Sequence, residues 1–160
     1  MTRTRYLSYS KNPPITPITP ITTMQPQLLK VIYDFSRYNT LYFNDELPIP
    51  EFGIIHGFRT LGFFSTRQTP EGCRVKIEIS DFYDYTEKQY RDILVHEMLH
   101  LYLFYTGCDT KVHHGLEFHQ MADYLNRRYG LHISQYTNTT HMRMHPNAKR
   151  LYHWLFKLIP

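Results

Sequence analysis

The stretch His96-Glu97-Met98-Leu99-His100 carries the strongest structural signal in this 160-residue chain. Positions i and i+4 of a helix share one face, so His96 and His100 can both reach one zinc ion at roughly 2.0–2.1 Å. Glu97 would then lie beside the metal, where its carboxylate can take a proton from water that the metal activates. Composition alone predicts about 0.03 accidental matches to this pattern, which favours a zinc-binding helix.

Helix signals surround the motif. Thr86-Glu87-Lys88-Gln89 matches a capping box, in which Thr86 and Gln89 bond each other's backbone amides. Gly107 can supply a left-handed stop at the other end. The apolar residues between these signals cover much of the helix circumference, which predicts a central, buried helix.

A catalytic zinc site needs a third protein ligand, and the residues alone leave its identity open. The metzincin spacing requires glycine and histidine where this chain has Leu103 and Thr106, so that pattern fails. Glu117, on a following helix, could serve as a glutamate ligand. His113 and His114, at the mouth of that same helix, are the histidine candidates.

Composition restricts the class of protein. The chain is 42% hydrophobic and 16% aromatic, long enough for one domain with a real core and unlike a disordered chain. It has no run of 18 apolar residues, so we expect no membrane span. The basic N-terminal residues are not followed by the apolar segment of a signal peptide. The two cysteines, Cys73 and Cys108, fit a reducing compartment. We therefore expect a cytoplasmic protein.

Charge is uneven along the chain. Residues 1–30 carry four basic groups, residues 124–160 carry six, and all 14 acidic residues lie between these two ends. Basic ends attract polyanions, so DNA is a candidate partner through the termini. Solvated termini that bind nothing are the alternative interpretation.

Three stretches follow from composition. Residues 1–25 form a basic, proline-rich linker with an Ile-Thr-Pro repeat. Residues 26–136 form the compact domain. Residues 137–160 form a basic aromatic tail in which Asn147 can begin a helix. Within the domain we predict an α+β fold with an N-terminal helix, a small antiparallel sheet, the zinc-binding helix and a following helix that Gly130 ends. The sheet includes a hairpin of 52–57 with 61–65 and an alternating strand at 74–79.

Four segments in this order resemble the SprT-like metalloprotease family. They are Tyr42-Phe43-Asn44-Asp45-Glu46-Leu47-Pro48, Leu61-Gly62-Phe63-Phe64, the His96–His100 motif, and His114-Gly115-Leu116-Glu117-Phe118. The resemblance covers about residues 28–132. It implies a zincin-like single domain that binds one zinc ion through His96, His100 and His114, with Glu97 as the general base.

The resemblance also implies a function. Family members hydrolyse peptide bonds, some of them in proteins crosslinked to DNA, so we expect a protein substrate. Many members carry a cysteine-built zinc ribbon after this domain, and no cysteine follows Cys108 here. Two alternatives stay open: a nucleic-acid- or transcription-associated binding protein whose metal only shapes the fold, and a zinc hydrolase acting on something other than protein. Glu97 distinguishes the first alternative from a protease, because a metal site that only stabilises the fold does not need a general base.

Overall fold

The computed structural model describes residues 22–108, 114–148 and 150, and they form an α+β fold. The predicted α+β class is confirmed. The elements of the described chain are β1 (Thr23–Met24), α1 (Leu28–Phe43), β2 (Glu51–Ile55), β3 (Gly62–Thr69), β4 (Gly72–Ser80), β5 (Tyr83–Thr86), α2 (Glu87–Tyr105), α3 (Leu116–Tyr129) and β6 (Arg143–Met144).

The larger sheet has the order β2-β4-β3, and this corrects two predictions. β4 runs parallel to β2 and antiparallel to β3, so the sheet is mixed rather than antiparallel. The predicted hairpin of 52–57 with 61–65 is wrong, because β4 lies between these two strands. The tight turn after Thr69, where Gly72 has a φ of 130°, instead joins β3 to β4.

β4 takes the central position because it is the most apolar of the three strands on its inner face. Val75, Ile77 and Ile79 alternate along it and are buried, as its sequence pattern predicted. At its end, Ser80 is fully buried and its hydroxyl donates a 2.6 Å hydrogen bond to the carbonyl of Gly57. This bond holds the connection that carries the chain from β2 to β3.

α1 ends at Phe43. Asn44 and Asp45 both have positive φ, at 53° and 61°, so the helix cannot continue. The side chain of Asn39 then binds the backbone of Leu47 twice: Nδ2 donates to the carbonyl at 2.9 Å, and Oδ1 accepts from the amide at 3.2 Å. This two-bond contact fixes the segment that leads into β2.

α2 is the central helix of the fold. The predicted capping box at Thr86 and Gln89 is present, and Gly107 has a φ of 70° just beyond the helix end. Most of the helix is buried, and it packs against α1, α3, β3, β4 and β5. Its side chains are therefore held on every side, which gives the motif at 96–100 a rigid base.

A second, smaller sheet has the order β1-β5-β6. β6 belongs to the stretch predicted as a tail, and it pairs with Tyr83 and Asp84 of β5. Residues 146–148 are helical, and Asn147 lies within this turn. The linker up to residue 21, His113 and the tail residues 151–160 lie outside the described residues. A search of the described helices finds none that could span a membrane.

Candidate metal centre

α2 and the start of α3 bring three histidines together. His96 and His100 lie one turn apart on α2, and His114 lies two residues before α3. Nε2 of His96 is 3.2 Å from Nε2 of His100 and 3.1 Å from Nε2 of His114. Within the described chain these three are the residues whose potential ligand atoms all lie within 4.8 Å of one another.

These separations suit a small tetrahedral metal ion. Two nitrogens bound to one zinc at about 2.05 Å with a tetrahedral angle lie about 3.3 Å apart. The two Nε2 separations at His96 are within a few tenths of an ångström of this value. Neutral imidazole nitrogens are also ligands that zinc prefers. The residues present therefore fit a zinc ion.

The surroundings of His96 lower its pKa. Its Nε2 faces the other two histidines, and hydrogen bonding with the backbone of Ser134 acts on the pKa in the upward direction. Burial, and secondarily the charge of His114, lowers the pKa of His96 to about 4, so the ring is neutral at physiological pH.

Glu97 follows His96 on α2, and its side chain lies against β3. Only 6% of its surface is exposed, and its carboxylate accepts a hydrogen bond from the backbone N–H of Phe64 on β3. Burial raises the pKa of Glu97 to about 8, while the Phe64 bond acts in the opposite direction. A divalent cation at the neighbouring histidines would lower this pKa, because it favours the charged form.

Phe118 forms an aromatic platform under the histidines. Its ring centroid lies 4.9 Å from that of His96, 4.9 Å from that of His100 and 4.7 Å from that of His114. The residue is 1% exposed, so its position is fixed by the core. Phe64 stacks against His100 from β3 at 6.2 Å. Aromatic rings of the core thus flank the imidazoles, while His96 and His114 keep part of their surface exposed.

Two of the three candidates for the third ligand lie among the described residues, and His113 does not. Glu117 is not part of the described cluster of potential ligands, whereas His114 is. The sequence did not predict that Phe118 contacts all three histidines. It also did not predict the contribution of Ser134, which is made by the backbone and leaves no side-chain signature.

Comparison with known families agrees with this geometry. The model of the SprT-like family matches residues 32–141. The chain belongs to the SprT-like family. The matched region contains all three histidines, Glu97 and the strands that surround them, so the family assignment covers the whole candidate centre. A search of curated proteins found no match.

Proposed function

We propose that this SprT-like protein is a zinc-dependent endopeptidase with a zincin-like site. His96, His100 and His114 would hold one zinc ion, and Glu97 would act as general base. The observation that carries the proposal is the convergence of three Nε2 atoms, two of them from the helix on which the buried Glu97 directly follows His96. A site that only stabilised the fold would gain nothing from Glu97, whose burial as a charged group is unfavourable.

The residues divide the work of peptide hydrolysis. A zinc ion held by the imidazoles would supply Lewis acidity, which makes water more acidic and polarises a peptide carbonyl. Glu97 accepts a proton from the attacking water on its carboxylate and then donates it to the nitrogen of the leaving amine. The N–H of Phe64 binds this carboxylate and favours its charged form.

The substrate class is inferred from the family, which is commonly metalloprotease-like. We propose proteins as substrates, with proteins bound or crosslinked to DNA as one group among them. DNA contact through the basic ends stays a prediction from the charge distribution of residues 1–30 and 124–160.

The Glu97→Gln variant tests the proposed chemistry. The amide keeps the shape of the side chain but cannot accept the proton, so the variant should bind zinc like the wild type and lose cleavage of a labelled unstructured protein. Glu117→Gln is the matched control, because Glu117 lies outside the histidine cluster, and it should retain cleavage. Undiminished cleavage by Glu97→Gln would contradict the proposal.

A further inference from the structure

A cavity lies on the outer face of the larger sheet, beside the turn that joins β3 to β4. Its volume is about 490 Å³, within the roughly 300–1,000 Å³ of pockets that hold small molecules. Ser65 and Arg67 of β3 line it together with Arg74 and Lys76 of β4, and Glu71 lines it from the turn. Most of these side chains are charged, which makes the cavity a candidate site for an ionic ligand.

The two faces of β3 separate this cavity from the metal centre. Successive side chains of a strand point to opposite faces of the sheet. The ring of Phe64 stacks against that of His100 at 6.2 Å, so the inner face of β3 belongs to the metal centre. Its neighbour Ser65 lines the cavity on the opposite face. The cavity is therefore distinct from the site proposed for peptide hydrolysis.

The strand register places two arginines directly opposite each other on this outer face. Arg67 of β3 pairs with Arg74 of β4, and Ser65 pairs with Lys76 two residues along. Like charges that face each other across two strands destabilise a sheet. Fold stability gives no reason for three cations around one hydroxyl, whereas a bound anion would offset their repulsion.

The acidic neighbours of these cations neutralise only part of the charge. Nη1 of Arg74 lies 3.4 Å from Oε1 of Glu51, and both side chains are more than half exposed. Nζ of Lys76 lies 2.7 Å from Oε1 of Glu78. Arg67 makes no ion pair or hydrogen bond with any described residue, the acidic residue of the turn included. Its guanidinium is therefore available to a ligand in the cavity.

We propose that this cavity binds a small phosphorylated ligand through the guanidinium groups of Arg67 and Arg74 and the hydroxyl of Ser65. The planar fork of an arginine matches two phosphate oxygens with two parallel hydrogen bonds. A phosphate monoester carries about 1.5 to 2 negative charges at pH 7, so it can offset both arginines, whereas a carboxylate or a phosphodiester carries a single charge. The inference goes beyond the proposed function, since no residue of the metal centre takes part.

The probe for this site is phenyl phosphate, titrated into the full chain at constant ionic strength. Binding should be saturable, and the amide signals that shift in nitrogen NMR spectra should belong to β3 and β4. Arg67→Gln should weaken binding by about 10-fold or more, because a charge-assisted two-bond contact is lost. Arg67→Lys keeps the charge without the fork and should weaken binding less. Arg127→Gln, at an exposed position on α3, makes the same change in net charge and should bind like the wild type.

Thermal unfolding gives a second measurement on the same variants. Without ligand, the Tm of Arg67→Gln should equal or exceed that of the wild type, because one of two opposed charges is removed. Saturating phenyl phosphate should raise the Tm of the wild type and of Arg127→Gln but not that of Arg67→Gln. A lower Tm of unliganded Arg67→Gln would contradict the repulsion on which the inference depends.

A wild-type protein that shows no saturable binding of phenyl phosphate would overturn the inference, and so would equal affinity in Arg67→Gln. A short oligothymidylate tests the nucleic-acid alternative. If it shifts the same amide signals and phenyl phosphate does not displace it, this face binds a phosphodiester backbone and the small ligand is excluded. The metal centre is tested separately, because neither zinc uptake nor peptide cleavage depends on Arg67.

Discussion

The backbone of Gly62 on β3 lies directly against the side chain of Glu97 on α2. A Cβ atom at position 62 would lie 2.7 Å from Cγ of Glu97 and 2.9 Å from its Cδ, closer than real Cβ atoms come to other atoms. Two residues further along the same strand, the N–H of Phe64 binds the Glu97 carboxylate. The start of β3 is therefore shaped around this one carboxylate, and the glycine provides the space.

The Gly62→Ala variant should lose activity by displacing Glu97. The added methyl group cannot be accommodated unless the carboxylate or the strand moves, and a misplacement of about 1 Å can reduce turnover about 100-fold. We expect zinc binding to persist, because the histidines do not contact Gly62 in the described contacts. The measurement is kcat/KM on a labelled unstructured protein, with zinc content determined on the same sample.

Gly57→Ala is the control for the loss of a glycine near β3. A Cβ at position 57 would meet only the carbonyl oxygen of Thr60, at an ordinary 3.9 Å. This variant should retain wild-type kcat/KM. Full activity in Gly62→Ala would show that Glu97 tolerates displacement and would argue against its role as general base.

Phe118→Ala should reduce both stability and zinc affinity. Truncating a buried phenylalanine costs about 3–5 kcal/mol of the free energy of unfolding, and here it also removes the platform under three imidazoles. Leu125→Ala is the control: it removes a fully buried side chain from the same helix and should lower stability without changing the zinc Kd. Denaturant unfolding and chelator competition measure the two quantities. A zinc Kd that changes equally in both variants would contradict a specific role for Phe118.

Removal of metal should destabilise the wild type. A ligand present at 1,000 times its Kd adds about 4 kcal/mol to the free energy of unfolding. For a domain of this size, that corresponds to a Tm shift of roughly 8–16 °C. Thermal unfolding with and without a chelator measures it. His100→Ala should show little effect of the chelator, and an equal shift in that variant would place the stabilising ion elsewhere.

The local parts of the structure were predictable because their causes lie within a few residues. The capping box at Thr86 and Gln89, the left-handed residue at Gly107 and the stop at Gly130 each depend on short-range backbone chemistry. The pairing of His96 with His100 follows from helix geometry alone. Each of these features is present in the structure.

The non-local parts were not predictable on the same grounds. The hairpin of 52–57 with 61–65 was a reasonable pairing of neighbouring strands, but β4 enters between them, and only packing against the core decides that order. Gly62 has no side chain and so leaves the space that Glu97 occupies. Ser134 acts on His96 through its backbone. Neither residue type predicts such a role, so only the fold assigns it.

Metal stoichiometry tests the central claim most directly. Purified wild-type protein, loaded with zinc and freed of excess, should contain one zinc ion per chain, with three imidazole nitrogens at about 2.0–2.1 Å in its X-ray absorption spectrum. His114→Ala should lose this ion, whereas His119→Ala, at an exposed position on α3, should keep it. A wild-type protein that holds no zinc, or zinc retained with unchanged ligands in His114→Ala, would contradict the account.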